Sequence, residues 1–171
     1  MRLLYLTPMK FNVFPNPGKL PTSPPPKVGE RLFLSLPDLP PRKQRHRSCR
    51  NPTHPHYDRF VRLREAASKA MAGRQWFSGA VGIELVIFCP SRLGWELLNE
   101  YMGGIMDTLD GSHGTHFTYL PIVYQDDAQV VSSSSTCQIA SEQRYTLEIS
   151  FIEAPTLVDA DLLTLPKLTR Y

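Results

Sequence analysis

The stretch GAVGIELVIFCP, residues 79–90, alternates as a strand does. Val81, Ile83, Leu85 and Ile87 fall on one side, Glu84 and Val86 on the other, and Pro90 ends the run. Working outward, HYDRFVRLREAASKAMAG predicts a helix that turns Phe60, Leu63, Ala67, Ala70 and Met71 to the core and closes at Gly73. On the other side, GWELLNEYMGGIMDTLDG predicts a second helix, shorter and weakened by Gly103 and Gly104. Trp76 and Trp95 flank these elements and read as packing residues. RLFLSL predicts a first strand with Leu32, Leu34 and Leu36 on one face. DAQVVSSSSTCQIA predicts one or two more, and RYTLEISFI, with Tyr145, Leu147, Ile149 and Phe151 in alternation, the last. The expected fold class is α/β: a small mixed sheet of about four strands packed with two helices.

Three regions follow from composition. Residues 1–30 are a proline-rich leader, expected to be extended and mobile or draped on a partner. Residues 31–152 are the folded domain, and residues 153–171 a tail. MRLLYLTPMKF is too short and interrupted for a signal segment, and no long apolar run follows, so the expectation is a soluble, cytoplasmic protein with no membrane contact. Cys49, Cys89 and Cys137 are odd in number and widely spaced, which predicts reduced thiols. Cys49, His54 and His56, or His113 and His116, lack the paired spacing of a zinc site. No Walker or dinucleotide glycine motif is present, and Ser132–Ser135 lack a nucleophile's context.

The formal charge of +3 hides an asymmetry: residues 1–75 carry 15 Lys/Arg against 4 Asp/Glu, residues 76–171 carry 4 against 12. A basic half beside an acidic half points to a polyanion surface next to a site that needs carboxylates. Arg42, Lys43, Arg45, Arg47 and Arg50 lie in a proline-bounded loop, where guanidinium forks suit phosphate oxygens; the alternative is a solvated charge run. On the second helix, Asn99 or Glu100, Gly103 or Gly104, and Asp107 share a face, and the glycines leave room for a metal or phosphate to approach. Asp126 and Asp127 begin the next strand, from where they can swing over that face. Carboxylates so grouped suit Mg²⁺. The competing reading is that Glu96 and Glu100 favour a helix N-terminus while Asp126 and Asp127 cap a turn.

In this order the pieces resemble the RusA family of Holliday-junction resolvases. The motifs that carry the resemblance are the basic loop PPRKQRHR (Pro40–Arg47), the strand WFSGAVGIELVIFCP, the helix end MDTLDG (Met106–Gly111) and DDAQVV (Asp126–Val131). It spans roughly residues 31–152. It implies a RusA-like fold and a homodimeric, Mg²⁺-dependent (or Mn²⁺-dependent) endonuclease on branched DNA. Glu96, Glu100, Asp107 and Asp127 would be catalytic; Asp107, Asp126, Asp127 and Asn99 would hold metal. Arg42, Lys43, Arg45, Arg47 and Arg50 would contact DNA. The family's two helix-start aspartates fall on Leu97 and Asn99, or with one inserted residue on Glu96 and Leu98. Counted without a gap, its lysine falls on Gly103. Those departures leave two further readings: a relative that holds DNA or a protein without cutting, and an interaction domain whose leader is the functional segment.

Overall fold

The computed structural model describes residues 21–44, 48–110 and 120–153. In chain order these form β1 (Arg31–Pro37), α1 (Tyr57–Met71), β2 (Ala80–Cys89), α2 (Trp95–Leu109), a single 3-10 turn (Asp127–Gln129), β3 (Val130–Ile139) and β4 (Arg144–Ile152). The four strands make one sheet in the order β1-β4-β2-β3. β4 runs antiparallel to both β1 and β2, while β3 runs parallel to β2. A parallel neighbour demands a crossover, and α2 lies within that connection. The fold is α/β with a mixed four-stranded sheet and two helices, as the hydrophobic periods predict.

Alternation decides which face is covered. Leu32, Leu34 and Leu36 of β1, Val81, Ile83, Leu85 and Ile87 of β2, and Tyr145, Leu147, Ile149 and Phe151 of β4 share one core with both helices. From α1 come Leu63, Ala67 and Met71, and from α2 Tyr101, Met102, Ile105 and Leu109. The other face stays open: Phe33 is 65% exposed, Arg31 pairs with Glu148 at 2.8 Å, and the Arg144 guanidinium lies 3.6 Å from the Phe88 ring centre. β3 is an edge strand, pinned by a bulge where Val81 pairs with Val130 but Gly82 with Ser132.

Four local expectations change. α2 is as long as α1, both 15 residues, despite Gly103 and Gly104. Gly104 is required by a neighbour: a Cβ there would run into the Pro41 carbonyl, so the basic loop lies against the helix backbone. The pair therefore seats the chain's own loop, and does not open the helix face to a ligand. Trp95 is 72% exposed and stands outside the core, while Ala70 is only half-buried. Arg64, not foreseen in the core, is 1% exposed on α1's buried stripe between Phe60 and Ala67.

Of the proline-rich leader, residues 21–30 are described, and they lie along the domain. Thr22 and Ser23 donate to the Gly73 carbonyl, Gln75 donates back to Ser23, Gly29 donates to Phe151, and Glu30 pairs with Arg74 at 2.5 Å. Residues 1–20 and the tail from residue 154 lie outside the described residues.

Candidate functional site

Asp107 sits in the last turn of α2 and Asp110 is its C-cap, while that turn holds no basic residue. Carboxylates there oppose the helix dipole and cannot themselves donate to the last carbonyls, so compensating cations must come from elsewhere. They do. Arg50 donates through Nε and Nη2 to the Asp107 carbonyl at 2.9 and 2.6 Å, and through Nη2 to Asp110 Oδ1 at 2.7 Å. Arg64 donates to the Thr108 and Leu120 carbonyls at 2.9 and 2.8 Å. Lys43 reaches Asp107 Oδ1 at 3.0 Å, its stem crossing the open surface of Gly103. Burial lowers the affinity of Lys43 for its proton, but Asp107 and Asp127 outweigh it and hold the ammonium above its usual range. Burial pushes the Asp110 carboxyl up to about 6; Arg50 opposes this, while Asp127 and Asp107 add to it.

The second part of the site is the turn DDAQ, residues 126–129. Asp126 accepts from the Ala128 amide at 2.8 Å and forms a capping box with Gln129. Gln129 accepts from the amides of Gln125 and Asp126 and donates to the carbonyls of Phe77 and Gly79 at 3.0 and 2.7 Å. Two residues thus fix the turn and anchor it to the entrance of β2, which leaves Asp127 between them uncommitted. Its Oδ1 is buried without a hydrogen-bond partner. Burial raises the Asp127 carboxyl, and the charge of Asp107 raises it further. Behind the pair, the buried Tyr124 hydroxyl donates to the Met106 carbonyl at 3.3 Å.

The remaining candidates divide by place. Glu96, Asn99 and Glu100 stand about 16, 12 and 10 Å from Asp107 along the helix axis, at 1.5 Å per residue. They are thus too far to share one ion with Asp107. With Lys43, Gln44 and Trp95 they line a separate open groove of about 710 Å³. Leu97 and Leu98, where the two registers of the resemblance place an aspartate, pack against the core. Arg42 is bonded to Glu100 at 2.5 Å, and the Lys43 amide donates to the Glu100 carbonyl. Arg42, Lys43 and Arg50 were expected to meet phosphate; here each is held by a carboxylate of the same chain. Arg45 and Arg47 lie outside the described residues, as do His113 and His116. The Cys49 thiol, with His54 close in sequence, is buried and raised to about 11, which does not suit a metal-binding thiolate.

Asp110, Arg64 and Gln129 are the residues that sequence reasoning missed. An acid directly after a helix with no basic residue in its last turn is a signal for Asp110, because such an end needs an outside cation. An arginine four residues after Phe60 and seven before Met71 interrupts an apolar stripe, and is the signal for Arg64. Among the described residues no three His, Cys, Asp or Glu side chains are gathered as a ready metal site. Nor is any helix long and apolar enough to cross a membrane. No protein-family model matches the chain, and no curated protein matches it.

Proposed function

We propose that this chain is a Mg²⁺-dependent endonuclease of RusA type that acts on branched DNA, with Asp107 and Asp127 as its metal-holding pair. The observation that carries this reading is the buried, unpartnered Oδ1 of Asp127 facing the charge of Asp107. Asp107, Asp110 and Asp127 bring three carboxyls to this end of α2; Lys43 pairs with Asp107 and Arg50 with Asp110, while Asp127 Oδ1 keeps no hydrogen-bond partner, which a hard cation would supply. Mg²⁺ binds through one or two carboxylates and completes its shell with water and phosphate, so a sparse pair fits it. When bound, such an ion polarises a phosphate and lowers the pKa of an attacking water. The chain's own residues do the rest: Gln129 and Asp126 hold Asp127 still, Arg50 fixes the helix end, and Lys43 lies beside Asp107, ready to face a phosphate oxygen. The resemblance supports a homodimer, so that paired sites meet paired strands.

A second reading, in which DNA is held without being cut, is favoured by one observation. Lys43 and Arg42 already neutralise Asp107 and Glu100. The experiment is cleavage of a labelled four-way junction with Mg²⁺ or Mn²⁺, beside a linear duplex and the Asp127→Asn variant. Cutting of the junction by wild type and at least a 100-fold loss in the variant are expected, as when a metal-ligating carboxylate is removed. Salt-sensitive binding without cutting under either metal would establish the second reading. No binding at any ionic strength would end both.

A further inference from the structure

Away from the acidic pair, two thiols meet across neighbouring strands. Cys89 is the last residue of β2, and the parallel register sets Ile87 beside Cys137 and Cys89 beside Ile139. The cysteines are therefore diagonal neighbours, both turned to the helix-covered face, with their sulfurs 3.4 Å apart. They also compete for one acceptor: Cys89 Sγ lies 3.0 Å and Cys137 Sγ 3.8 Å from the Ser91 carbonyl. Their exposure differs. Cys89 is 2% exposed, whereas Cys137 is only partly buried, on the edge strand. Cys49, the third thiol, is buried in a separate small cluster with Phe60.

We propose that Cys89 and Cys137 form a thiol pair that hydroperoxide converts to an intramolecular disulfide. The less buried Cys137, as thiolate, attacks the peroxide oxygen; the O–O bond breaks, and one water leaves once the departing oxygen is protonated. Cys137 is then a sulfenic acid. Cys89 gives up its proton, its sulfur attacks the Cys137 sulfur, and the hydroxyl leaves as a second water. In sum two thiols and one H₂O₂ give one disulfide and two waters. The sulfurs need to close by little more than 1 Å to reach bonding distance, which side-chain rotation at the end of a strand supplies. Burial, and then Cys137 itself, hold the Cys89 thiol above its usual range, so Cys89 suits the second, resolving step better than the first.

The bridge would enclose a functional segment. It ties residues 48 apart, and the loop it closes contains all of α2 and the 126–129 turn, hence Asp107, Asp110 and Asp127. It would also take Cys89 from the Ser91 carbonyl, in the connector that leads into Trp95 and the groove.

The test treats the full, reduced chain with hydrogen peroxide, counts thiols after denaturation and maps the peptides. The expected result is a fall from three free thiols to one, a peptide linking Cys89 to Cys137, a monomeric mass and full reversal by dithiothreitol. The oxidised chain should melt about 5–10 °C higher, since a cross-link of this span restricts the unfolded chain. Cys137→Ser should keep both remaining thiols at the same peroxide dose, while Cys89→Ala should lose one thiol to sulfenic or higher acids. Either over-oxidation of Cys137 without a cross-link in wild type, or a bridge between two chains, overturns the proposal. A count that stays at three does the same, and these wild-type readouts hold even where a variant fails to fold.

Discussion

The two helices are equal in length and stop in opposite ways. α1 finishes with its own backbone: Ala72 enters the left-handed region at φ 49°, its amide bonds the Ser68 and Lys69 carbonyls, and Lys69 complements the dipole. α2 closes on one backbone bond, from the Asp110 amide to the Met106 carbonyl, with Asp110 in extended backbone and no left-handed residue. Its last turn carries acid, and its carbonyls are met by Arg50 and Arg64, from residues 57 and 44 positions away. A local cap forms with its helix, whereas a long-range cap forms only when the whole fold is in place. The geometry at the end of α2 therefore depends on charges brought from distant parts of the chain, and the candidate site is there. The charge asymmetry of the chain has the same origin. Arg31, Arg42, Lys43 and Arg50 of the basic half pair with Glu148, Glu100, Asp107 and Asp110 of the acidic half.

That contrast can be broken most severely at Arg64. Arg64→Met should cost about 3 kcal/mol in urea unfolding, because the buried Thr108 carbonyl and the part-buried Leu120 carbonyl lose their donor. A loss below about 1 kcal/mol would show that α2 does not depend on this arginine. Next comes Gly104→Ala, expected to cost about 2 kcal/mol even though alanine is the better helix former, since the added carbon meets the Pro41 carbonyl. Gly103→Ala is its control: the carbon would meet only the flexible Lys43 stem, at 3.0 Å, and the cost should vanish or reverse.

A smaller effect is read in pH. The Asp110 carboxyl is raised to about 6, so between about pH 4 and 6 the native state keeps a proton that the unfolded chain has lost. Stability should fall as pH rises through that window, by about 1 kcal/mol per pH unit from this group, and Asp110→Asn should remove that part of the slope. An unchanged profile in the variant would mean that Arg50 compensates the buried charge in full. The smallest change is at α1. Ala72→Gly should stabilise by up to about 1 kcal/mol, because glycine adopts positive φ without a Cβ penalty. A destabilising result would mean that unfolded-chain entropy outweighs the strain at that cap.

What could be read ahead was what is local. Leu32 to Leu36, Val81 to Ile87 and Tyr145 to Phe151 alternate in sequence and are buried in alternation. Asp126 and Asp127 stand together in the sequence and only the structure separates them: Asp126 caps the turn, while Asp127 Oδ1 is buried without a partner. The length of α2 was not legible, because its glycines answer to Pro41, about sixty residues earlier in the chain. Nor were the partners of the basic loop, since an ion pair across 58 to 64 positions leaves no periodic trace. For the same reason Trp95 read as a core residue although it faces the groove.

The pairing of β1 with β4 sets a clock. Arg31 lies opposite Ser150, and Leu36 opposite Tyr145, so the first strand made is completed only by the last. From Arg31 to Glu148 is 117 positions, which at ~5–20 residues per second keeps β1 waiting on the order of 10 s during synthesis. Until then its leucine face and both edges are bare. A nascent chain arrested before residue 144 should be captured by holdase chaperones, and release should follow once β4 has emerged.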